Sequence, residues 1–130
     1  MRQLKYLKIW LTLGWALVGL VIFLSVIPRA PDMLDLDGGD KLLHVFAYAI
    51  MMLWFGFIYL PGRTYQNLGI ILIAIGIALE LIQGISDNRS LSFLDMVANA
   101  VGVSLGWLLA KTRLSFTLAH VENILKSRNA

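Results

Sequence analysis

Ile9 to Ile27 runs for 19 residues without a charged side chain. At about 1.5 Å per residue, a helix of that length crosses the roughly 30 Å of hydrocarbon in a bilayer. Lipid offers the backbone no hydrogen-bond partners, so a single run of this kind can satisfy its amides and carbonyls only as a helix. The basic leader MRQLKYLK would also suit a secretory signal. The apolar run, however, exceeds the ~7–15 residues of a signal core, and no small-x-small cleavage pattern follows it. A retained first helix is expected, ended by Pro28 and Pro31, which cannot continue the hydrogen-bond ladder.

The rest of the chain has the same character. Of its 130 residues, 58% are hydrophobic and only 15% charged, against about 25% charged in ordinary soluble domains. Its mean hydropathy is +0.75. One membrane domain over residues 1–130 is expected, with further spans at about 41–60, 67–85 and 92–110. An acidic connection (28–40) with a Gly38-Gly39 break, a tight Pro61-Gly62-Arg63 turn and a polar turn from Ser86 to Ser90 separate them. In the basic tail, 111–130, Leu114, Leu118, Val121 and Leu125 fall near helical spacing. An amphipathic helix on the membrane surface and a frayed tail both fit that pattern.

Several function classes drop out. There is no cysteine, hence no disulfide and no thiolate metal site. No Lys/Arg run is interleaved with aromatics as nucleic-acid binding would require. No phosphate-cradling glycine loop or nucleophile elbow is present.

Charge placement gives an orientation. With a cytoplasmic N-terminus, the inner side receives Arg2, Lys5, Lys8, Arg63, Lys111, Arg113, Lys126 and Arg128. The outer side receives Arg29, Lys41 and Arg89. This asymmetry satisfies the positive-inside rule, and Trp10, Tyr59 and Trp107 then fall near the inner interface as an aromatic belt. The expected fold is an all-α integral membrane bundle of four transmembrane helices with both termini cytoplasmic.

In that topology the polar residues of the spans gather at the outer end. Asp40, His44 and Tyr48 are spaced i, i+4, i+8, and Glu80 and Gln83 are i, i+3. Asp95, Asn99, Gly102 and Gly106 form one stripe. An ionised group at mid-membrane costs about 2.5–3.5 kcal/mol on insertion scales, so such groups should face the bundle interior or a wet cavity. Candidate catalytic residues are His44, Glu80 and Asp95. His44 titrates nearest neutral pH and a carboxylate beside it would support acid–base chemistry. Candidate substrate-binding residues are Asp40, Lys41, Tyr48, Gln83, Arg89 and Asn99, with Arg89 expected to pair with Glu80 or Asp95. Blander roles stand beside these. Asp40 fits a helix N-cap, and Ser92 to Asp95 fits a capping box. Asn99, Gly102 and Gly106 fit helix packing, within the chain or between copies. Arg89 fits a solvated turn. Glu80, His44, Asp95 and Asp40 are residue types that hold a hard cation or zinc, but their order and spacing give no metal motif, so no metal and no cofactor are expected.

These residues also carry a family resemblance. Ser25-Val26-Ile27-Pro28, Asp40-Lys41-Leu42-Leu43-His44 with Tyr48, Glu80-Leu81-Ile82-Gln83, Arg89, and Asp95 with Asn99 and Gly102 resemble the VanZ-like family of small bacterial membrane proteins over roughly residues 20 to 110. The turn before Arg89 departs from the family's usual glycine or proline pattern. The resemblance implies a multi-pass protein of the bacterial inner or plasma membrane, with teicoplanin-resistance-type proteins among its relatives. The expected partners are membrane lipids and a lipid-linked envelope substrate bound in an outward-facing polar pocket. A homo-oligomer or another membrane protein is the protein partner that the glycine stripe would suit. The alternative is a non-catalytic scaffold or partner protein whose polar cluster is structural. A transporter is the weaker third reading, since four short spans show no broken mid-membrane helices.

Overall fold

A computed structural model of the chain describes residues 1–27, 39–85 and 91–128. Every element among them is helical: α1 (Leu7–Val26), α2 (Gly39–Ile58), α3 (Arg63–Ile85), α4 (Phe93–Leu109), a 3-10 turn (Arg113–Phe116) and α5 (Thr117–Arg128). Residues 28–38, with Pro28, Pro31 and Gly38, and the turn 86–90 lie outside the described residues.

Helices α1, α2 and α3 are each long and apolar enough to cross a membrane. Helix α4 has 17 residues, roughly 25 Å, the lower limit for a span. It reaches spanning length when counted with α5, from which it is bent by 73°. Helices α1, α2 and α3 start earlier than hydropathy places the spans. α3 begins at Arg63 because its first turn is polar but well anchored. Gln66 N–H donates to the Gly62 carbonyl at 3.0 Å, and the buried Tyr65 hydroxyl donates to the Met52 carbonyl at 2.9 Å. α4 begins after Ser92, whose hydroxyl accepts the Asp95 N–H at 3.2 Å, the bond expected of an N-cap.

Helix α2 lies at the centre, against α1, α3 and most extensively α4. The α2–α4 seam is parallel. A Cβ at Gly102 would come 2.5 Å from the Val45 carbonyl oxygen, and one at Gly106 would overlap the Ala49 carbonyl oxygen. The small-residue stripe therefore packs inside the chain, letting two backbones touch where lipid supplies no hydrophobic drive for association. Tyr48, Met51, Met52, Phe55, Leu72 and Val103 fill the core beside it. Leu13, Leu20 and Phe23 on α1, and Ile70, Ile71 and Ile77 on α3, are exposed. That apolar coat suits lipid rather than water.

At the end that carries the termini, the tail is neither frayed nor loose. Leu118 of α5 packs with Leu4 and Ile58, and Glu122 is buried. The Glu122 carboxylate accepts the backbone N–H of Lys5 at 2.7 Å and of Tyr6 at 2.9 Å, and the Trp10 indole N–H at 2.8 Å. It sits where α1 begins, where backbone amides lack intrahelical partners and the helix dipole favours an anion. Burial pushes this carboxyl up. The amide of Tyr6, the Trp10 indole, the amide of Lys5 and nearby Lys126 outweigh that and hold it below its ordinary value. The Arg2 N–H likewise donates to the Ile58 carbonyl, at 2.8 Å, as α2 ends.

Candidate functional site

The opposite end of the bundle is built differently. A cleft of about 210 Å³ opens between α1, α2 and α3 and reaches Asn99 of α4. Its lining is mixed: Val21, Leu24, Leu43, Ala47 and Leu79 are apolar, and Ser25, His44, Tyr48, Glu80, Gln83 and Asn99 are polar. Helical spacing builds the polar part. His44 and Tyr48 share one face of α2, while Glu80 and Gln83 share one face of α3. Gly76 completes it. A Cβ there would come 2.7 Å from Asn99 Nδ2 and 3.0 Å from the Tyr48 hydroxyl, so its missing side chain lets both polar groups stand against α3.

Two of the expected site residues tie helix ends together. Gln83 Nε2 donates to the Ser25 carbonyl at 2.6 Å, one of the last-turn carbonyls of α1 that the helix itself cannot satisfy. Glu80 is 2% exposed, and its Oε2 accepts the Ser92 N–H at 3.4 Å. In a capping box that amide would belong to the acid three residues on, Asp95. Here Glu80 takes it. Asp95 is 6% exposed, yet its Oδ1 accepts no hydrogen bond from the described residues. Lys41 Nζ stands 3.9 Å from that oxygen on a side chain 46% exposed, beyond hydrogen-bond range. Capping therefore accounts for Ser92 and for the backbone of Asp95, but not for its carboxylate.

The same region collects Asp40, His44 and Asp95. One ligand atom from each lies within 4.8 Å of the others, although nothing in their sequence spacing signals a metal motif. Asp40 and His44 are half-buried. His44 Nδ1 and Asn99 Oδ1 are buried and have no hydrogen-bond partner among the described residues. Arg89, expected to pair with Glu80 or Asp95, lies outside the described residues. The fold thus brings Asp40, Lys41, His44 and Asp95 into one group and Tyr48, Glu80, Gln83 and Asn99 into another beside it. Sequence reasoning did not single out Ser25, Leu43, Ala47 or Gly76 as site-forming. Of these, Gly76 carried a usable signal, a glycine inside a helix opposite polar residues of neighbouring spans.

Helices long and apolar enough to cross a membrane, packed around a polar cleft at one end, point to a helical membrane protein. No family model, curated protein or solved structure matches the chain.

Proposed function

We propose that this is a four-span protein of the bacterial cell membrane with both termini in the cytoplasm, whose outward-facing cleft binds a cell-envelope lipid or lipid-linked molecule. The observation that carries the reading is a cleft at one end of the bundle lined by both apolar and polar side chains, the mixture that a lipid with an acyl chain and a polar head group would require. His44, Glu80 and Asp95 are the residues proposed for acid–base chemistry on such a ligand, and Asp40, Lys41, Tyr48, Gln83, Arg89 and Asn99 those proposed to hold it. The resemblance to VanZ-like proteins supports the same class of ligand, a teicoplanin-type molecule with an acyl chain included.

Two measurements test it. Single cysteines at Asp37, Arg63, Asp87 and His120 are labelled on intact cells with a membrane-impermeant thiol reagent. Labelling at 37 and 87 alone supports an outward-facing cleft, and the reverse pattern removes direct action on an external ligand. Native mass spectrometry then compares lipid retained by wild type and by Ala47→Trp, which fills the cleft. The variant should lose bound lipid while keeping its helical content; equal retention would refute the lipid site.

The Gln83–Ser25 and Glu80–Ser92 bonds favour a second reading, a non-catalytic partner protein whose polar residues fasten helix ends. It predicts that Gln83→Ala and Glu80→Gln lose folded protein in proportion to any lost phenotype. A cleft-bound ligand predicts lost phenotype in protein that still folds.

A further inference from the structure

We infer that Asp40, His44 and Asp95 form a binding site for a divalent transition-metal cation of the zinc class. Three observations on different atoms converge. The ligand atoms of the three residues lie within 4.8 Å of one another. The Asp95 carboxylate is more than nine-tenths buried, and the capping bond that would occupy it is made instead by Glu80, leaving Oδ1 without a hydrogen bond. His44 Nδ1, buried in the same cluster, also has no hydrogen-bond partner. A buried carboxylate oxygen and a buried imidazole nitrogen left in this way are each costly, and one cation would satisfy both.

Geometry and chemistry narrow the ion. Donors on a tetrahedral zinc, with bonds of about 2.0–2.2 Å, lie roughly 3.3–3.6 Å apart. Closing on the ion therefore asks each pair to shorten by no more than about 1.5 Å, within reach of rotamer changes in the half-buried Asp40 and His44. The imidazole selects zinc-like ions over calcium or magnesium, which prefer all-oxygen shells. Two carboxylates neutralise a divalent charge. Three protein ligands leave at least one position for water or for an oxygen of a bound molecule, as in open zinc sites. Lys41 Nζ, 3.9 Å from Asp95 Oδ1, supplies positive charge from a distance on an exposed side chain, and it competes with the ion without blocking it.

The test uses tag-free, chelator-treated protein in detergent, so it is read without any lipid and stands apart from the lipid reading. Zinc is titrated by calorimetry, with the ring resonances of the chain's two histidines followed by NMR. One ion per chain should bind, His44 should shift and His120 should not. His44→Ala and Asp95→Asn should each weaken binding by at least about 10-fold, the scale on which even outer-shell partners matter. Lys41→Met should bind as tightly or more tightly. No saturable binding, a shift at His120 alone, or wild-type affinity in His44→Ala and Asp95→Asn would overturn the site. Should a variant fail to fold, the wild-type stoichiometry and the His44 shift decide the matter by themselves.

Discussion

Each end of the bundle buries carboxylates, and the two ends treat them differently. At the terminal end Glu122 has three donors within 2.9 Å. At the cleft end Asp95 Oδ1 has none among the described residues, and Lys41 Nζ stands 3.9 Å away. A carboxylate with both oxygens engaged holds structure together. One buried with an oxygen left over costs stability, and such a cost is expected where a site is kept ready for a ligand. The contrast separates a fastened carboxylate from one with an oxygen left over, on hydrogen-bond geometry alone.

The seam that joins the two ends sets the largest expected effect. Gly106→Leu forces a side chain into the Ala49 carbonyl and should cost at least about 3 kcal/mol. Thermal melting in detergent should show both ends lost together. Loss at one end only would mean that the ends fold independently, and the comparison would then be between two separate units.

Glu122→Ala should come next. It strands three donors and should cost about 2–3 kcal/mol, read from melting and from exposure of Trp10 by fluorescence. Its pH dependence has a defined sign. The folded carboxyl is held below its ordinary value of 4.5. Its contribution is therefore complete above about pH 4.5 and is lost as pH falls through the lower folded value. The difference between wild type and Glu122→Gln should shrink in that acid window and stay constant above it. A difference that instead changes near neutral pH would contradict the hydrogen-bonded clamp.

Gln83→Ala removes one bond to a last-turn carbonyl of α1 and should cost about 1 kcal/mol. Asp95→Asn should have the smallest effect on stability, within about 0.5 kcal/mol of wild type or favourable, because it removes an incompletely satisfied buried charge. A large loss in Asp95→Asn would erase the distinction between the ends. The same variant is expected to weaken zinc binding at the proposed site, so a change that leaves folding intact would remove the ion.

Much of this was legible in the sequence, for physical reasons. Uncharged runs fix helices in lipid, and i, i+4 spacing places Asp40 with His44 and aligns Asp95, Asn99, Gly102 and Gly106. What stayed hidden depends on partners far apart in the chain. Glu122 sits in a short helix with Lys126 one turn on, and it reads as an ordinary solvated acid until α5 folds back onto α1. The helix starts were set too late at Arg63 and Gly39 because hydropathy marks where lipid begins, whereas hydrogen bonding marks where a helix begins. The capping-box spacing at Ser92 and Asp95 was real in its first half only. The reciprocal bond went to Glu80, twelve residues upstream of Ser92, which spacing within one helix cannot reveal.

The Glu122 clamp also has a consequence in time. Its donors lie 112 to 117 residues before it in the chain. At synthesis rates of about 5–20 residues per second, the opening turn of α1 is made at least about 6 s before its acceptor exists. Through that interval the opening turn of α1 is without that acceptor. Helix α5, made after α1 to α4, is the one that locks the first, so a chain interrupted before α5 would carry its apolar helices with that opening turn unfastened.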